Sequence, residues 1–324
     1  LITGGTGSFG KNFTKFLLKH SQAKRIAVLS RDEFKQFEMQ NELKDERLRF
    51  FIGDVRDKVR LQRAFAGVDI VVHAAALKHV PILEYNPYEA VKTNVLGTQN
   101  VIDAAIDQGV KKVLLVSTDK AVQPINLYGS TKLCAEKLLV AGNFYSPGKT
   151  RFSVVRYGNV IGSRGSLVET LLKQDKVQNV TLTDPAMTRF WLKLEESFKL
   201  VSFALEQMEG GETFVPKIPS MKIVDLFESL VPEAEVKITG LRPGEKMHEV
   251  LLTEQESERA IETDKYFVVL PEFKFSNDTN YEKYSAMGKR LHQGFRYASD
   301  TNTEWVSKET FKEMVDDLKV NPAS

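Results

Sequence analysis

The stretch Lys112–Lys137, KVLLVSTDKAVQPINLYGSTKLCAEK, decides how this chain is read. Val113 to Val116 is an unbroken apolar run, the pattern of a strand buried on both faces of a parallel sheet. Ser117, Thr118, Asp119 and Lys120 then fall at its C-terminal end, where ligands lie in open α/β sheets. Pro124 belongs to a short loop, and helical spacing begins at Leu127. Tyr128 and Lys132 stand at i and i+4, so both side chains leave one helical face. A phenol one turn from an ammonium, facing a hydroxyl, a carboxylate and a second amine, gathers groups that move protons. A lone Tyr-x-x-x-Lys would read more simply as a half-buried tyrosine beside a snorkelling lysine. The strand end before it and the glycine-rich start of the chain favour chemistry.

Composition narrows the classes. A chain of 324 residues suits two domains, or one large domain with an appended lobe. Its 42% hydrophobic and 27% charged residues are those of an ordinary soluble globular protein. A net charge of +2 with no basic tract gives no nucleic-acid partner. The single cysteine, Cys134, excludes an internal disulfide and a cysteine-based zinc site, so no metal is expected and a reducing, cytoplasmic setting fits. Cys134 is expected to pack as a small apolar residue on the helix of Tyr128. No apolar run approaches the ~18 residues of a membrane span, and no signal peptide is seen, so no membrane partner is expected. The chain opens inside a strand, Leu1-Ile2-Thr3, so residues before it are expected; the Asn321–Ser324 tail carries no signal.

The first half alternates strand and helix. Leu1 to Gly10 reads as a strand followed by GGTGSFG, with Gly4, Gly7 and Gly10 spaced G-x-x-G-x-x-G. Glycines there let the backbone turn sharply and approach a pyrophosphate, which then meets the free amides of the next helix. That helix is amphipathic through Phe13, Phe16 and Leu17, the context a dinucleotide loop requires. A strand over Arg25–Leu29 ends in Ser30-Arg31-Asp32. Arg31 lies about twenty residues past the glycines, where an arginine would accept the 2′-phosphate of NADP. Asp32 would either hold a ribose or cap a helix over Glu33–Leu43. Strands are expected over Leu48–Gly53 and Asp69–His73, the latter closing with Ala74, Ala75 and Ala76. His73 has the position of a packed core histidine. Lys78 and His79 start a loop, where Lys78 would contact a sugar or phosphate or would simply be solvated. Glu89–Gln108 reads as one long helix, and Arg151–Arg156 as a sixth strand. The whole is an α/β fold, a doubly wound parallel (Rossmann) sheet.

From about Tyr157 the alternation fails and the chain reads as loop-rich. Tyr157 and Asn159 follow the sixth strand, and Arg164 comes soon after. Thr188 and Arg189 lie in TRFW; Arg242, Glu245 and Lys246 lie in the tight turn LRPGEK. An arginine in a Pro-Gly turn suits a diphosphate, because its planar fork makes paired charge-assisted bonds. A short strand is expected from Tyr266 and a terminal helix over 307–318. The boundaries are a nucleotide-binding domain over 1–160 and a smaller, interleaved substrate lobe over 161–324, with segments returning to the first.

The Tyr-x-x-x-Lys pair preceded by Ser-Thr resembles the short-chain dehydrogenase/reductase superfamily. GGTGSFG, SRDE, GDVRD, HAAALKHVP, STDKA, PINLYGSTK, RYGNVIGSRGS, MTRFW, VPKIPSMK and RPGEKMHEV together resemble its extended, nucleotide-sugar branch, and within it the inverting UDP-N-acetylglucosamine 4,6-dehydratases. Lys120 stands where dTDP-glucose 4,6-dehydratases carry glutamate, and Tyr128 where the large membrane-anchored relatives carry methionine. The resemblance implies an NADP site at Gly4, Thr6, Gly7, Ser8, Phe9, Gly10, Ser30, Arg31, Asp54, Val55, Ala74, Ala75, Ala76, Lys78, Asn94, Tyr128, Lys132, Tyr157 and Asn159. It implies catalysis by Thr118, Asp119, Lys120, Tyr128 and Lys132. Contacts to UDP-N-acetylglucosamine would come from Lys78, Asn159, Arg164, Thr188, Arg189, Arg242, Glu245 and Lys246. A homo-oligomer and a place at the start of pseudaminic acid synthesis are further implications. A retaining dehydratase, a UDP-sugar 4-epimerase and a cofactor-sensing module without turnover are the competing readings.

Overall fold

The computed structural model describes residues 1–174, 176–277 and 279–320; the Asn321–Ser324 tail lies outside them. Six apolar runs form strands β1 (Ile2–Thr3), β2 (Ile26–Ser30), β3 (Leu48–Ile52), β4 (Ile70–His73), β5 (Lys112–Thr118) and β6 (Arg151–Tyr157). They pair in parallel in the order β3-β2-β1-β4-β5-β6. Parallel neighbours need a crossover, and each crossover here carries a helix that buries its apolar face on the sheet. Phe13 and Phe198 pack on one side of the sheet with Leu114 and Val155. Leu61, Phe65, Val101, Ile102, Ala135 and Leu139 pack on the other with Val113, Leu115 and Val154. The strand order reverses between β1 and β4, which opens a crevice at their C-terminal ends.

The second half is less loop-rich than its sequence suggests. Helix Leu194–Gln207 buries Leu194, Phe198 and Val201, and leads to Thr213–Pro216, which pairs in parallel with β6. The alternation therefore resumes after an inserted lobe. The inserted loops, rather than any loss of helical spacing, hid it. Tyr266–Val269, Ala260–Glu262 and Lys289–Arg290 then continue antiparallel, giving a ten-stranded sheet. The lobe itself holds a small sheet of Asn159–Val160, Thr188–Leu192 and Ser220–Lys222, and a pair of Asn179–Leu182 with Glu235–Ile238. Its own core joins Trp191, Phe227 and Phe311, the last from the terminal helix Lys308–Val320.

Two local expectations are corrected. The segment expected as one helix over Glu89–Gln108 is Pro87–Ala90, a π-helical turn Val91–Leu96, and Gly97–Asp107. The widened turn carries Asn94, whose amide oxygen accepts from Leu77 N (2.8 Å) and whose nitrogen donates to Leu77 O (2.9 Å). Cys134 is exposed rather than packed. The helix Leu127–Tyr145 turns Thr131, Lys132, Ala135 and Leu139 inward, and Cys134 falls off that stripe. His73 is a core histidine, bonded to Thr3 Oγ1 (2.7 Å) and Thr98 Oγ1 (3.1 Å). Asp32 caps Glu33–Leu43, accepting from Lys35 N (3.0 Å). Among the described residues no helix is long and apolar enough to cross a membrane.

The glycine loop fixes how closely β1 and its helix approach. A Cβ on Gly10 would overlap the Gly5 backbone, so the loop and the helix Ser8–His20 touch main chain to main chain. Gly10→Ala is expected to destabilise the fold by about 1–3 kcal/mol through overpacking. Thermal unfolding measures it; an unchanged melting temperature would mean the loop relaxes freely.

Candidate active site

β5 delivers Ser117 and Thr118 to the crevice, and a 3-10 turn over Asp119–Ala121 turns the next two side chains back toward it. Asn126 caps the helix Leu127–Tyr145 by accepting from Gly129 N (2.8 Å), which sets where Tyr128 and Lys132 emerge. Lys132 is buried and donates to Val116 O (2.8 Å). Thr131, between the two, accepts from the Asn94 amide (3.0 Å) and ties the π-turn to the helix.

Asp119 has no exposed surface. Its Oδ1 accepts from Thr118 Oγ1 (2.8 Å) and Lys120 Nζ (3.1 Å), while its buried Oδ2 has no hydrogen-bond partner. Lys120 Nζ also lies 3.3 Å from Glu249 Oε1. Burial alone would lower the Lys120 pKa, but the carboxylates of Asp119 and Glu249 outweigh it and hold the ammonium. Burial raises the Asp119 carboxyl above its ordinary value, against the pull of Lys120. Burial likewise pushes the Tyr128 phenol up to about 12, with the Lys120 cation opposing it. Burial brings Lys132 down to about 8, with Glu136 acting against it.

The lobe reaches this centre through two segments. Arg189 is buried and donates to the carbonyls of Thr188 (2.7 Å), Lys246 (2.9 Å) and Met247 (3.1 Å). Its fork thus shapes the loop after RPGEK. Thr188 Oγ1 meets His248 Nδ1 (2.8 Å) and Ser299 Oγ (2.7 Å). Lys246 donates to Val122 O (2.6 Å), and Asn126 Nδ2 donates to Gly244 O (2.9 Å), so the turn docks beside the start of the catalytic helix. Arg242 is exposed, touching Thr181 Oγ1 (3.1 Å); Glu245 accepts from Thr183 Oγ1 (2.8 Å).

The crevice side also has a dinucleotide's requirements. Helix Ser8–His20 starts at Gly7 with no side-chain cap and no acid in its first turn, leaving amides free for phosphate. Gly4 passes against Ala75, and Ala74, Ala75 and Ala76 add no bulk to the end of β4. Thr6 is buried in the loop, and the Phe9 ring turns into the core against Phe13 (5.3 Å) and Phe198 (5.7 Å). Arg31 is exposed, 4.0 Å from Asp54 Oδ2, while Ser30 is buried and accepts from Gln36 Nε2 (2.9 Å). Val55 packs on Gly97. Ser8 Oγ accepts from Arg164 N (3.1 Å) and Lys78 donates to Arg164 O (2.9 Å), closing the lobe over the loop. Tyr157 is buried opposite Thr118, and Asn159 pairs with Trp191. These residues fit a nicotinamide dinucleotide.

Three contributors went unread in the sequence. Glu249 heads the buried strand Val250–Leu252, and a lone acid before an apolar run was its one signal. Glu136, one turn past Lys132, accepts from Arg156 Nη2 (2.7 Å) and from Ser117. Gly129 lies inside YGSTK, where a Cβ would overlap the Lys120 carbonyl oxygen.

A reversed-order parallel sheet with a glycine loop and Tyr-x-x-x-Lys beside a strand-end hydroxyl defines a short-chain dehydrogenase/reductase of the extended, sugar-nucleotide type. The chain belongs to the polysaccharide biosynthesis protein family, which it matches over residues 1–271, in the branch that includes the inverting UDP-N-acetylglucosamine 4,6-dehydratase of Campylobacter jejuni. That relative is 50% identical over 321 residues, covering 97% of this chain and 96% of its own. A UDP-glucose 4-epimerase of Rickettsia conorii is 41% identical over 327 residues, covering 97% and 94%. The X-ray structure of Pen from Bacillus thuringiensis superposes with a TM-score of 0.88 at 39% identity, covering 98% and 97%.

Gly129→Ala tests the packing of helix on dyad. The added methyl must displace the Lys120 backbone, so a loss of turnover of about 10²-fold is expected, since small misplacements of catalytic groups are that costly. Near-normal turnover would show that the dyad tolerates the shift.

Proposed function

We infer that this chain is a UDP-N-acetylglucosamine 4,6-dehydratase that inverts C5, yielding UDP-2-acetamido-2,6-dideoxy-β-L-arabino-hex-4-ulose. The observation that carries this is the buried Asp119–Lys120 pair (3.1 Å) on the strand end beside Tyr128. An epimerase needs the tyrosine and Lys132 alone. Elimination of water needs in addition a base for C5 and an acid for the C6 hydroxyl.

Bound in the crevice, NADP supplies the reversible removal of hydride from C4 and its return at C6. Tyr128, as phenolate, takes the C4 hydroxyl proton. The resulting ketone acidifies the C5 hydrogen. Lys120 passes its proton to Asp119, with which it is in contact (3.1 Å), and becomes the neutral amine that accepts the C5 proton. Asp119 then gives its proton to the departing C6 hydroxyl, which leaves as water. Tyr128 returns its proton to C5 from the face opposite Lys120, inverting that centre. After these steps Lys120 is again the ammonium, Asp119 the carboxylate and Tyr128 the phenolate, so every group ends as it began.

Arg31, exposed at the end of β2, is the group we assign to the 2′-phosphate, and hence NADP. Arg242 and Lys246 would hold the diphosphate, with Arg189 and Glu245 shaping their loop. A cytoplasmic homo-oligomer feeding pseudaminic acid synthesis is the setting we propose; the exposed Tyr85, Tyr88 and Leu96 offer an apolar face for pairing. The epimerase reading rests on the Rickettsia relative.

Product NMR after reaction with UDP-N-acetylglucosamine in D₂O separates the two. A dehydratase gives a 4-keto-6-deoxy product with deuterium at C5 and the L-arabino configuration. A C4 epimer without deuterium would overturn the assignment. Lys120→Ala is expected to lower water loss about 10²–10⁴-fold, the range for a positioned base, and to abolish C5 exchange. A variant that still turns over would exclude Lys120 as the base.

For the cofactor, Arg31→Ala should weaken NADP binding by about 1.5–3 kcal/mol, the worth of a charge-assisted contact, while leaving NAD nearly unaffected. Titration of both cofactors checks this, and equal weakening would move the assignment away from Arg31.

A further inference from the structure

We propose that Glu249 is a positioning residue for the elimination step: its carboxylate holds Lys120 in place and keeps the Asp119–Lys120 pair in possession of its one shared proton. This deepens the dehydratase reading and rests on the dyad assigned there.

The geometry is specific. Glu249 is 2% exposed, and three cations converge on its carboxylate. Lys120 Nζ lies 3.3 Å from Oε1, Arg189 Nε 3.8 Å from Oε1, and Lys246 Nζ 3.7 Å from Oε2. Its backbone N donates to Ser299 Oγ (2.9 Å), which anchors the residue at the head of its strand. Neither Lys246 nor Arg189 needs Glu249 to be held, because both make backbone hydrogen bonds elsewhere. Lys120 has no such alternative: among the described residues its ammonium has only Asp119 and Glu249 as anionic partners. When Asp119 takes the proton, Glu249 is what still faces the amine.

Every charged group facing the pair bears on the sign. From its own turn Lys120 meets Asp119; from the catalytic helix, Tyr128; from the lobe, Glu249, Lys246 and Arg189; and from the loop after β4, Lys78. Apart from the pair, the carboxylate of Glu249 is the anion in this set that is close to Lys120. Removing its charge leaves three cations facing the pair, so the shared proton is lost at lower pH. The alkaline limb of turnover must therefore move down. Two charges at such a separation interact by several kcal/mol at an effective dielectric near ~20, so a shift of ~1 pH unit or more is expected.

The test compares kcat and KM against pH for wild-type holoenzyme, Glu249→Gln and Glu249→Asp, with UDP-N-acetylglucosamine as substrate. The alkaline limb of kcat should fall by ~1 unit or more in the Gln variant and by less in the Asp variant, which keeps a more distant charge. KM should change less than kcat. A folded Gln or Asp variant whose limb stays at the wild-type position would overturn the proposal. Failure of both variants to fold would also overturn it, making Glu249 a structural anchor. Lys120→Ala, run alongside, separates the two levels. If it still eliminates water, the dyad reading itself fails; if it is inactive while the Gln variant keeps the wild-type limb, only the role of Glu249 fails.

Discussion

Burying ions is expensive, and this fold gathers five around one point, three of them buried and two half-buried. Asp119, Lys120, Arg189, Lys246 and Glu249 come from the turn after β5, a lobe strand and the loop after RPGEK. Each would lose several kcal/mol of hydration in isolation, and that loss is offset only when the partners arrive together. The Rossmann sheet cannot complete the cluster alone, because Glu249, Arg189 and Lys246 all lie in the second half of the chain. Docking of the lobe onto the sheet and assembly of the proton-transfer centre are therefore one event. The loop contacts at Asn126–Gly244 and Ser8–Arg164 follow the same seam.

A second buried network braces the back of the catalytic helix. Arg156, on β6, pairs with Glu136 (2.7 Å) and Glu256 (3.0 Å), and Ser117 donates to Glu136. This links β5, β6, the helix Leu127–Tyr145 and the short helix Glu254–Ser257 into one frame. Tyr128 and Lys132 stand two turns and one turn before Glu136 on that helix, which Asn126 caps. Removing one partner of such a pair leaves an uncompensated charge, so the frame is held more by what its loss would expose than by its net energy. Rigidity at the helix is what lets Lys132 rest against Val116 O while Tyr128 faces the strand end.

What could be read from sequence was what is local. Tyr128 and Lys132 are one turn apart, the glycines are three apart, and β5 is a contiguous apolar run; each pattern is complete within one element. Asp32 as a cap and His73 as a core residue were legible for the same reason. Glu249 and Arg189 were not, because their meaning lies in a meeting of segments separated by more than a hundred residues of chain from Lys120, or by a lobe's length. An arginine carries no mark in the sequence of whether its donors go to carbonyls, as those of Arg189 do. The π-turn at Asn94 has no periodicity of its own, and Cys134 was misplaced because its burial depends on which stripe of an apolar helix meets the sheet. The helix Leu194–Gln207 did carry its spacing, yet the loops before it concealed that it belonged to the main sheet.

On the proposed mechanism the base is a lysine rather than a glutamate, which would explain why so many charges are gathered here. A buried glutamate that ionises is already competent to take a proton. A lysine must first give one up, and here it does so beside a carboxylate that has no exposed surface. An acceptor in direct contact is therefore obligatory, and Asp119 at 3.1 Å meets that need while its unpartnered Oδ2 leaves room for the incoming hydroxyl. Burial raises the proton affinity of Asp119 above that of an ordinary carboxyl, while the Asp119 and Glu249 carboxylates hold the Lys120 ammonium. The same burial would by itself strip the lysine of its proton and leave nothing to hand over. An additional anion beside Lys120 is the simplest correction, and a second and third cation beyond it keep that anion from overshooting. On the proposed mechanism, the cluster is thus the consequence of running base chemistry from a lysine held against buried carboxylates.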